Sequence, residues 1–189
     1  MRRPSMHLDL SEIVVREGMR ADVEVDQPSV EDPDLVFAEP VRGKVTFTNG
    51  GDLINIDGQV ETTLLQPCSR CLTDVRVPVK LEIDEHFPID DVLHPNRPPA
   101  EDEDYDTVVS SVVYLDQGRP ILDLEELLRQ LIVAEVPIRT LCDDACSGLC
   151  PQCGANLNDQ PCTCERQAAN TPLAGLAALL EEQGEESGE

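Results

Sequence analysis

The chain has 189 residues and a formal net charge of −24, from 38 acids against 14 lysines and arginines. That length holds one domain, or one domain and a small module. With no Trp, two Tyr and three Phe, its core must rest on Val, Ile and Leu. The charge repels phosphate, excludes broad sequence-independent nucleic-acid binding and favours basic partners. No stretch approaches the ~20 apolar residues of a membrane span, and Met1 to Asp9 has no apolar run for a signal peptide. The expectation is a reduced, cytoplasmic protein without a membrane segment.

A short strand is expected around Leu8 and Leu10, then a helical turn from Ser11, a usable N-cap, to Gly18, a usable stop. Ala21 to Asp26 alternates apolar and acidic residues, the pattern of a strand with one wet face. Gln27 to Pro40 carries three prolines and reads as a loop around Leu35-Val36-Phe37. Val41 to Thr48 and Leu53 to Leu65 form a hairpin across Asn49-Gly50-Gly51-Asp52, with Gly58 suggesting a bulge or a break. After a second turn at Gln66 to Cys71, Val75, Val77, Val79, Leu81 and Ile83 recur at period two, with Phe87 in phase. Pro78 lies on the opposite face and removes a ladder donor, which places this strand at a sheet edge.

Asp90 to Asp106 is proline-rich and acidic and reads as a loop; from Glu82 to Asp106 there are ten acids against one base. Arg42 to Lys80 carries Arg42, Lys44, Arg70, Arg76 and Lys80 against four acids, the one section suited to RNA contact. The plainer account of these bases is that they are solvent-facing strand residues. Val108 to Leu115 reads as a last strand. Asp123 and Glu126 match a capping box, and Leu124, Leu127, Leu128, Leu131 and Ile132 recur at helical spacing until Pro137. Thr171-Pro172 can open a second helix through Leu173, Leu176, Leu179 and Leu180, followed by an acidic tail. The expected organisation is an α+β domain over 1–141, a cysteine-rich module over 142–165, and a short helix with the tail over 166–189. The fold class is α+β: a curled antiparallel β-sheet with one packed helix and a C-terminal cysteine-rich, zinc-ribbon-like module.

Six of the eight cysteines fall between Cys142 and Cys164, and the other two form Cys68-Ser69-Arg70-Cys71. Cys150-Pro151-Gln152-Cys153-Gly154 has the spacing of a zinc knuckle: two thiolates on a tight turn grip one tetrahedral ion at roughly 2.3 Å each. The glycine after the second cysteine lets the backbone take a positive φ and turn its amides toward the sulfurs. A disulfide framework would need an oxidising compartment. A redox CxxC sits at a helix start, whereas strands flank Cys68 and Cys71. His7, His86 and His94 all lie outside the cluster, so closed all-sulfur structural sites fit better than a catalytic zinc with an open position. Two four-cysteine sites use all eight residues: Cys150, Cys153, Cys162 and Cys164 as a local ribbon, and Cys68, Cys71, Cys142 and Cys146 as a long-range staple. The rival division is one local site from Cys142, Cys146, Cys150 and Cys153, leaving the hairpin pair free and Cys162 and Cys164 spare.

Cys-Ser-Arg-Cys on a hairpin, then Leu122-Asp123-Leu124-Glu125-Glu126-Leu127, then Val136-Pro137-Ile138, then the run from Cys142 to Asn158, resembles the YceD family of bacterial proteins. These are also described as large ribosomal RNA subunit accumulation proteins. The resemblance runs from about Leu8 to Leu180. It implies a part in accumulation or processing of large-subunit ribosomal RNA and implies no catalytic residues. The family has plastid relatives, and its bacterial genes often neighbour that of a small basic protein of the large ribosomal subunit. The expected function is a non-enzymatic ribosome-biogenesis factor with two structural Zn²⁺, binding a basic ribosomal protein or pre-ribosomal particle. An RNA-processing enzyme and a zinc-delivery or thiol-redox protein are the rivals. Against the enzyme, the sequence offers no carboxylate cluster at usable spacing and no phosphate-cradling glycine loop.

Overall fold

The computed structural model describes residues 6–30, 32–96 and 107–164. The elements in order are β1 (His7–Asp9), α1 (Ser11–Val15), β2 (Arg20–Gln27), β3 (Val36–Phe37), β4 (Val41–Asn49), β5 (Leu53–Pro67), β6 (Asp74–Pro88), α2 (Ile89–Leu93), α3 (Thr107–Val112), β7 (Val113–Asp116), β8 (Arg119–Asp123) and α4 (Leu124–Glu135). The class is α+β, with two antiparallel sheets where the sequence suggested one. The larger sheet runs β2-β4-β5-β6, with β3 set end to end with β4 along the same edge of β5. The smaller sheet is β1-β8-β7. The larger sheet stays open: β2 pairs only with β4 and β6 only with β5 among the described residues, so the edge position expected from Pro78 holds.

Strict alternation writes the sheet's two faces. Val45, Phe47, Ile54, Ile56, Val60, Val79, Leu81, Ile83 and Phe87 point inward and join one core with Leu124, Leu127, Leu128 and Ile132 of α4. On the outer face the register aligns Asp26, Arg42, Glu61 and Lys80 across four strands, with alternating sign. Arg42 bonds Asp26 at 3.0 Å and Lys44 bonds Asp22 at 2.7 Å. Such exposed cross-strand pairs each contribute about 0.2–1 kcal/mol and help to fix register. The turn expected at Asn49 is present. Buried Asn49 accepts from Gly51 N at 2.7 Å and donates to Ile13 O at 2.6 Å, tying α1 to the hairpin.

Several local expectations change. Gly58 is neither a bulge nor a break, because the β4–β5 ladder runs through it from Arg42↔Glu61 to Asn49↔Ile54. Its role is close approach: a Cβ there would lie 2.5 Å from Lys44 O, and one at Gly43 would lie 2.0 Å from Gln59 O. Thr107–Val112 is helical, and the strand begins only at Val113. Val109 and Val112 are buried at helical spacing within this helix, so core packing overrides their β propensity. The start of the acidic stretch forms α2, which buries Val92; residues 97–106 lie outside the described residues. Ser11 does not cap α1; Asp9 Oδ1 accepts its amide at 2.9 Å from before the helix. At α4, Asp123 accepts from Glu126 N at 3.1 Å as expected, while the Glu126 carboxylate is held by Arg129 rather than returning to the cap. The expected second helix and acidic tail fall outside the described residues. No helix among those described is long and apolar enough to cross a membrane.

Candidate metal centres

The β5–β6 hairpin ends at Pro67 and resumes at Asp74, leaving Cys68 to Thr73 as its tip. Cys68 N donates to Thr73 O at 2.8 Å and Leu72 N to Cys68 O at 2.9 Å, which closes the tip into a knuckle. Ser69 N reaches Thr140 O at 2.8 Å and so draws the segment after α4 alongside. There Cys142 and Cys146 meet the hairpin pair: Cys71 Sγ lies 3.5 Å from Cys142 Sγ, and Cys68 Sγ lies 3.8 Å from Cys146 Sγ. All four sulfurs fall within 4.8 Å of one another. Four thiolates around an ion at roughly 2.3 Å sit about 3.8 Å apart, so this spacing fits a tetrahedral metal. Cys68, Cys71 and Cys146 are buried in a small cluster of their own, with Val75, Leu141 and Leu149 packed against it and separate from the main core.

Cys150, Cys153, Cys162 and Cys164 form the second tetrad, again with every sulfur within 4.8 Å of the others. Cys150 N donates to Ala155 O and Gly154 N to Cys150 O, both at 2.8 Å, and Gly154 takes a φ of 73°. Its positive φ is the one the sequence required. The sulfurs therefore group four and four, local ribbon and long-range staple, and the rival grouping of Cys142 and Cys146 with Cys150 and Cys153 does not occur. None of the eight is in a disulfide.

The electrostatics of both tetrads suit a cation. The amides of Cys71 and Arg70 point at Cys68 and hold its thiol down to about 6. Those of Cys153 and Gln152 do the same for Cys150, also to about 6. Fixed N–H dipoles favour the thiolate. Its neighbours then oppose a further charge: Cys142 is pushed up to about 12 beside Cys71 and Cys146, and Cys164 to about 12 beside Cys153 and Cys150. Four ionised sulfurs within this spacing need a central cation to coexist, and a divalent ion leaves a formal −2 for the surrounding N–H groups to offset.

Two contributors escape a reading of the sequence. Arg70 is exposed, and its guanidinium donates to Asp144 O at 3.1 Å and Cys146 O at 2.8 Å, bracing the loop that carries Cys146. Only its position between two ligand-spaced cysteines hinted at that. Arg42, Lys44 and Arg76 are likewise paired, with Asp26, Asp22 and Glu39, while Lys80 stands across from Glu61. Asn158 was also silent, although its Nδ2 lies 3.3 Å from Cys146 Sγ. The histidines sit apart from both tetrads: His7 beside Asp123, His86 beside Asp84 and His94 beside Asp90.

The chain that gathers its eight cysteines into these two tetrads also matches a known family in sequence. The family described as "Large ribosomal RNA subunit accumulation protein YceD" matches residues 56–180, and the chain belongs to it. The chain is 30% identical over 163 residues to "Uncharacterized protein Rv2926c" of Mycobacterium tuberculosis (strain ATCC 25618 / H37Rv), covering 85% of this chain and 68% of that one. It is 36% identical over 67 residues to "Large ribosomal RNA subunit accumulation protein YCED homolog 1, chloroplastic" of Arabidopsis thaliana. That match covers 35% of this chain and 21% of the plant protein, so the chain spans about a fifth of that relative's length. "Uncharacterized protein YlbN" of Bacillus subtilis (strain 168) is 24% identical over 164 residues, covering 86% of this chain and 87% of that protein. No solved structure matches the chain significantly.

Proposed function

We propose that this chain is a non-enzymatic assembly factor of the large ribosomal subunit, cytoplasmic, and held together by two structural zinc ions. It supports accumulation of large-subunit RNA by binding a basic ribosomal protein or a pre-ribosomal particle. The observation that carries this reading is the family match over residues 56–180, whose description ties the family to large-subunit RNA accumulation. Two features of the chain favour a binding role. Four thiolates complete the tetrahedral shell of zinc and leave no open position for an activated water. The net charge of −24 attracts basic protein and repels bare RNA. The engagement of Arg42, Lys44, Arg70 and Arg76 with carboxylates and carbonyls points the same way.

Capture of the tagged full chain from cells tests the reading. The expected catch is a basic large-subunit protein or precursor particle, released as salt rises because exposed charges are screened over about 8 Å at physiological ionic strength. Cells lacking the protein should show a lowered ratio of large- to small-subunit RNA. An unchanged ratio, or tight binding to free RNA with the basic proteins ignored, overturns the proposal.

A further inference from the structure

The two tetrads share a wall. Segment 147–149, which follows Cys146 of the first and precedes Cys150 of the second, is clasped on both sides. On the hairpin side, Leu149 N donates to Arg70 O at 3.1 Å, and a Cβ at Gly148, whose φ is 75°, would sit 3.1 Å from the same carbonyl. On the other side, Leu157 N donates to Gly148 O at 2.9 Å, and Leu149 pairs with Asn156 as an antiparallel bridge. Residues 156–158 belong to the loop between Cys153 and Cys162, so the second tetrad brackets them.

Asn158 closes the contact between the two centres. Its Oδ1 accepts from Ser147 N at 2.7 Å, and since that amide can only donate, the orientation of the side-chain amide is fixed. Its Nδ2 therefore faces Cys146 Sγ at 3.3 Å and Asn156 Oδ1 at 2.8 Å. Asn156 Oδ1 also accepts from Asn158 N at 3.1 Å, which holds the turn that aims the donor. A loop ordered by one set of cysteines thus delivers an N–H to a sulfur of the other set.

We infer that the two metal centres are thermodynamically coupled, with Asn158 as the positioning residue that joins them. This rests on the reading of the tetrads as metal sites. Filling Cys150, Cys153, Cys162 and Cys164 pins both ends of the loop and holds Asn158 against Cys146. The donated N–H offsets part of the −2 on the filled long-range site, as outer-shell donors do at metal centres generally. Coupling of binding free energies is reciprocal, so an ion at Cys68, Cys71, Cys142 and Cys146 strengthens the ribbon site by the same factor.

The test uses the purified full chain, Co²⁺ as a probe of thiolate coordination, and Zn²⁺ in competition with a chelator. Asn158→Asp keeps the acceptor for Ser147 and removes the donor to Cys146. The variant should still bind two ions, with the long-range site about 10–100-fold weaker. Cys162→Ser/Cys164→Ser, which abolishes the ribbon site, should weaken the long-range site similarly. Combining it with Asn158→Ala, which removes the donor without placing a carboxylate beside the sulfur, should add little, since both remove the same interaction. In Cys68→Ser/Cys71→Ser, where the long-range site is gone, Asn158→Asp should leave ribbon affinity unchanged. Two ions bound independently, with the long-range site indifferent to Asn158→Asp, overturn the coupling but leave the tetrads as metal centres. A chain that takes up neither ion overturns both.

Discussion

Leu72 and Gly154 occupy the same place in the two knuckles, directly after the second cysteine, and both turn the backbone left-handed, at φ 61° and 73°. Glycine takes that conformation freely, whereas a side chain costs roughly 1–2 kcal/mol there. Leu72 is 63% exposed, so it recovers little of that cost by packing. Leu72→Gly should therefore hold or raise stability, by up to about 1 kcal/mol, while the β-branched Leu72→Ile should lose about 1 kcal/mol or more. Denaturant midpoints compare them; equal losses in both variants would contradict the strain. The left-handed turn was legible at Cys-Pro-Gln-Cys-Gly because glycine announces it. In Cys-Ser-Arg-Cys-Leu the same geometry accompanies the hydrogen bonds that close the hairpin tip, and no residue type advertises it. Arg70 and Asn158 were illegible for a related reason: each acts on main-chain oxygens or sulfurs distant in sequence, which no local spacing encodes.

At the scale of elements, β4 and β5 approach through two staggered glycines. A Cβ at Gly43 would meet only backbone, Gln59 O at 2.0 Å and Val60 Cα at 2.7 Å, so no side chain can move aside. Gly43→Ala should cost about 2–3 kcal/mol in urea unfolding, and a loss under about 0.5 kcal/mol would show that the strands separate easily. The Arg129 pair sets a pH dependence. Arg129 donates two bonds of 2.7 Å to Glu126 and a third of 3.2 Å to Asp32, pinning the loop before β3 to α4. The two bonds from Arg129, with a further one from Gln130, hold the Glu126 carboxyl below its ordinary value of 4.5. On acidification the unfolded chain takes up this proton first. The stabilisation is thus complete above the unfolded value and lost as pH falls through the lower, folded one. Arg129→Met should cost about 1 kcal/mol near neutrality and flatten the acid branch of stability against pH; a parallel acid branch would count against the pair. The long strands and α4 were legible because period two and period 3.6 run cleanly through them. The helix Thr107–Val112 was not, since a valine-rich run fits either period and burial alone decides.

For the molecule as a whole, the long-range tetrad joins the tip of the sheet to the chain after α4. Cys68 and Cys146 are 78 residues apart and Cys71 and Cys142 are 71 apart. Structural zinc in small peptides carries ~10–16 kcal/mol of apparent binding energy. Cys68→Ser/Cys71→Ser should therefore lower bound zinc from two ions to one and depress the global unfolding midpoint. Cys162→Ser/Cys164→Ser should remove one ion with a smaller effect on the sheet, whose core lies elsewhere. Metal analysis and calorimetry distinguish the two; unchanged zinc after the hairpin substitutions would refute the two-site scheme. The division of the eight cysteines was legible because the ribbon spacing is self-contained and leaves the other four to find each other. The presence of two sheets was not, because pairing of β1 with β8 depends on which distant strands the core brings together.

The separation of the staple's halves also has a meaning in time. A ribosome adds about 5–20 residues per second, so the 78 residues between Cys68 and Cys146 take about 4–16 s to make. Until Cys142 is made, only the two sulfurs of the hairpin tip are present, too few to enclose an ion. If the tetrads are filled as proposed, an ion there would be a late fastener during synthesis, joining the hairpin tip to the chain after α4 only once Cys146 has been made.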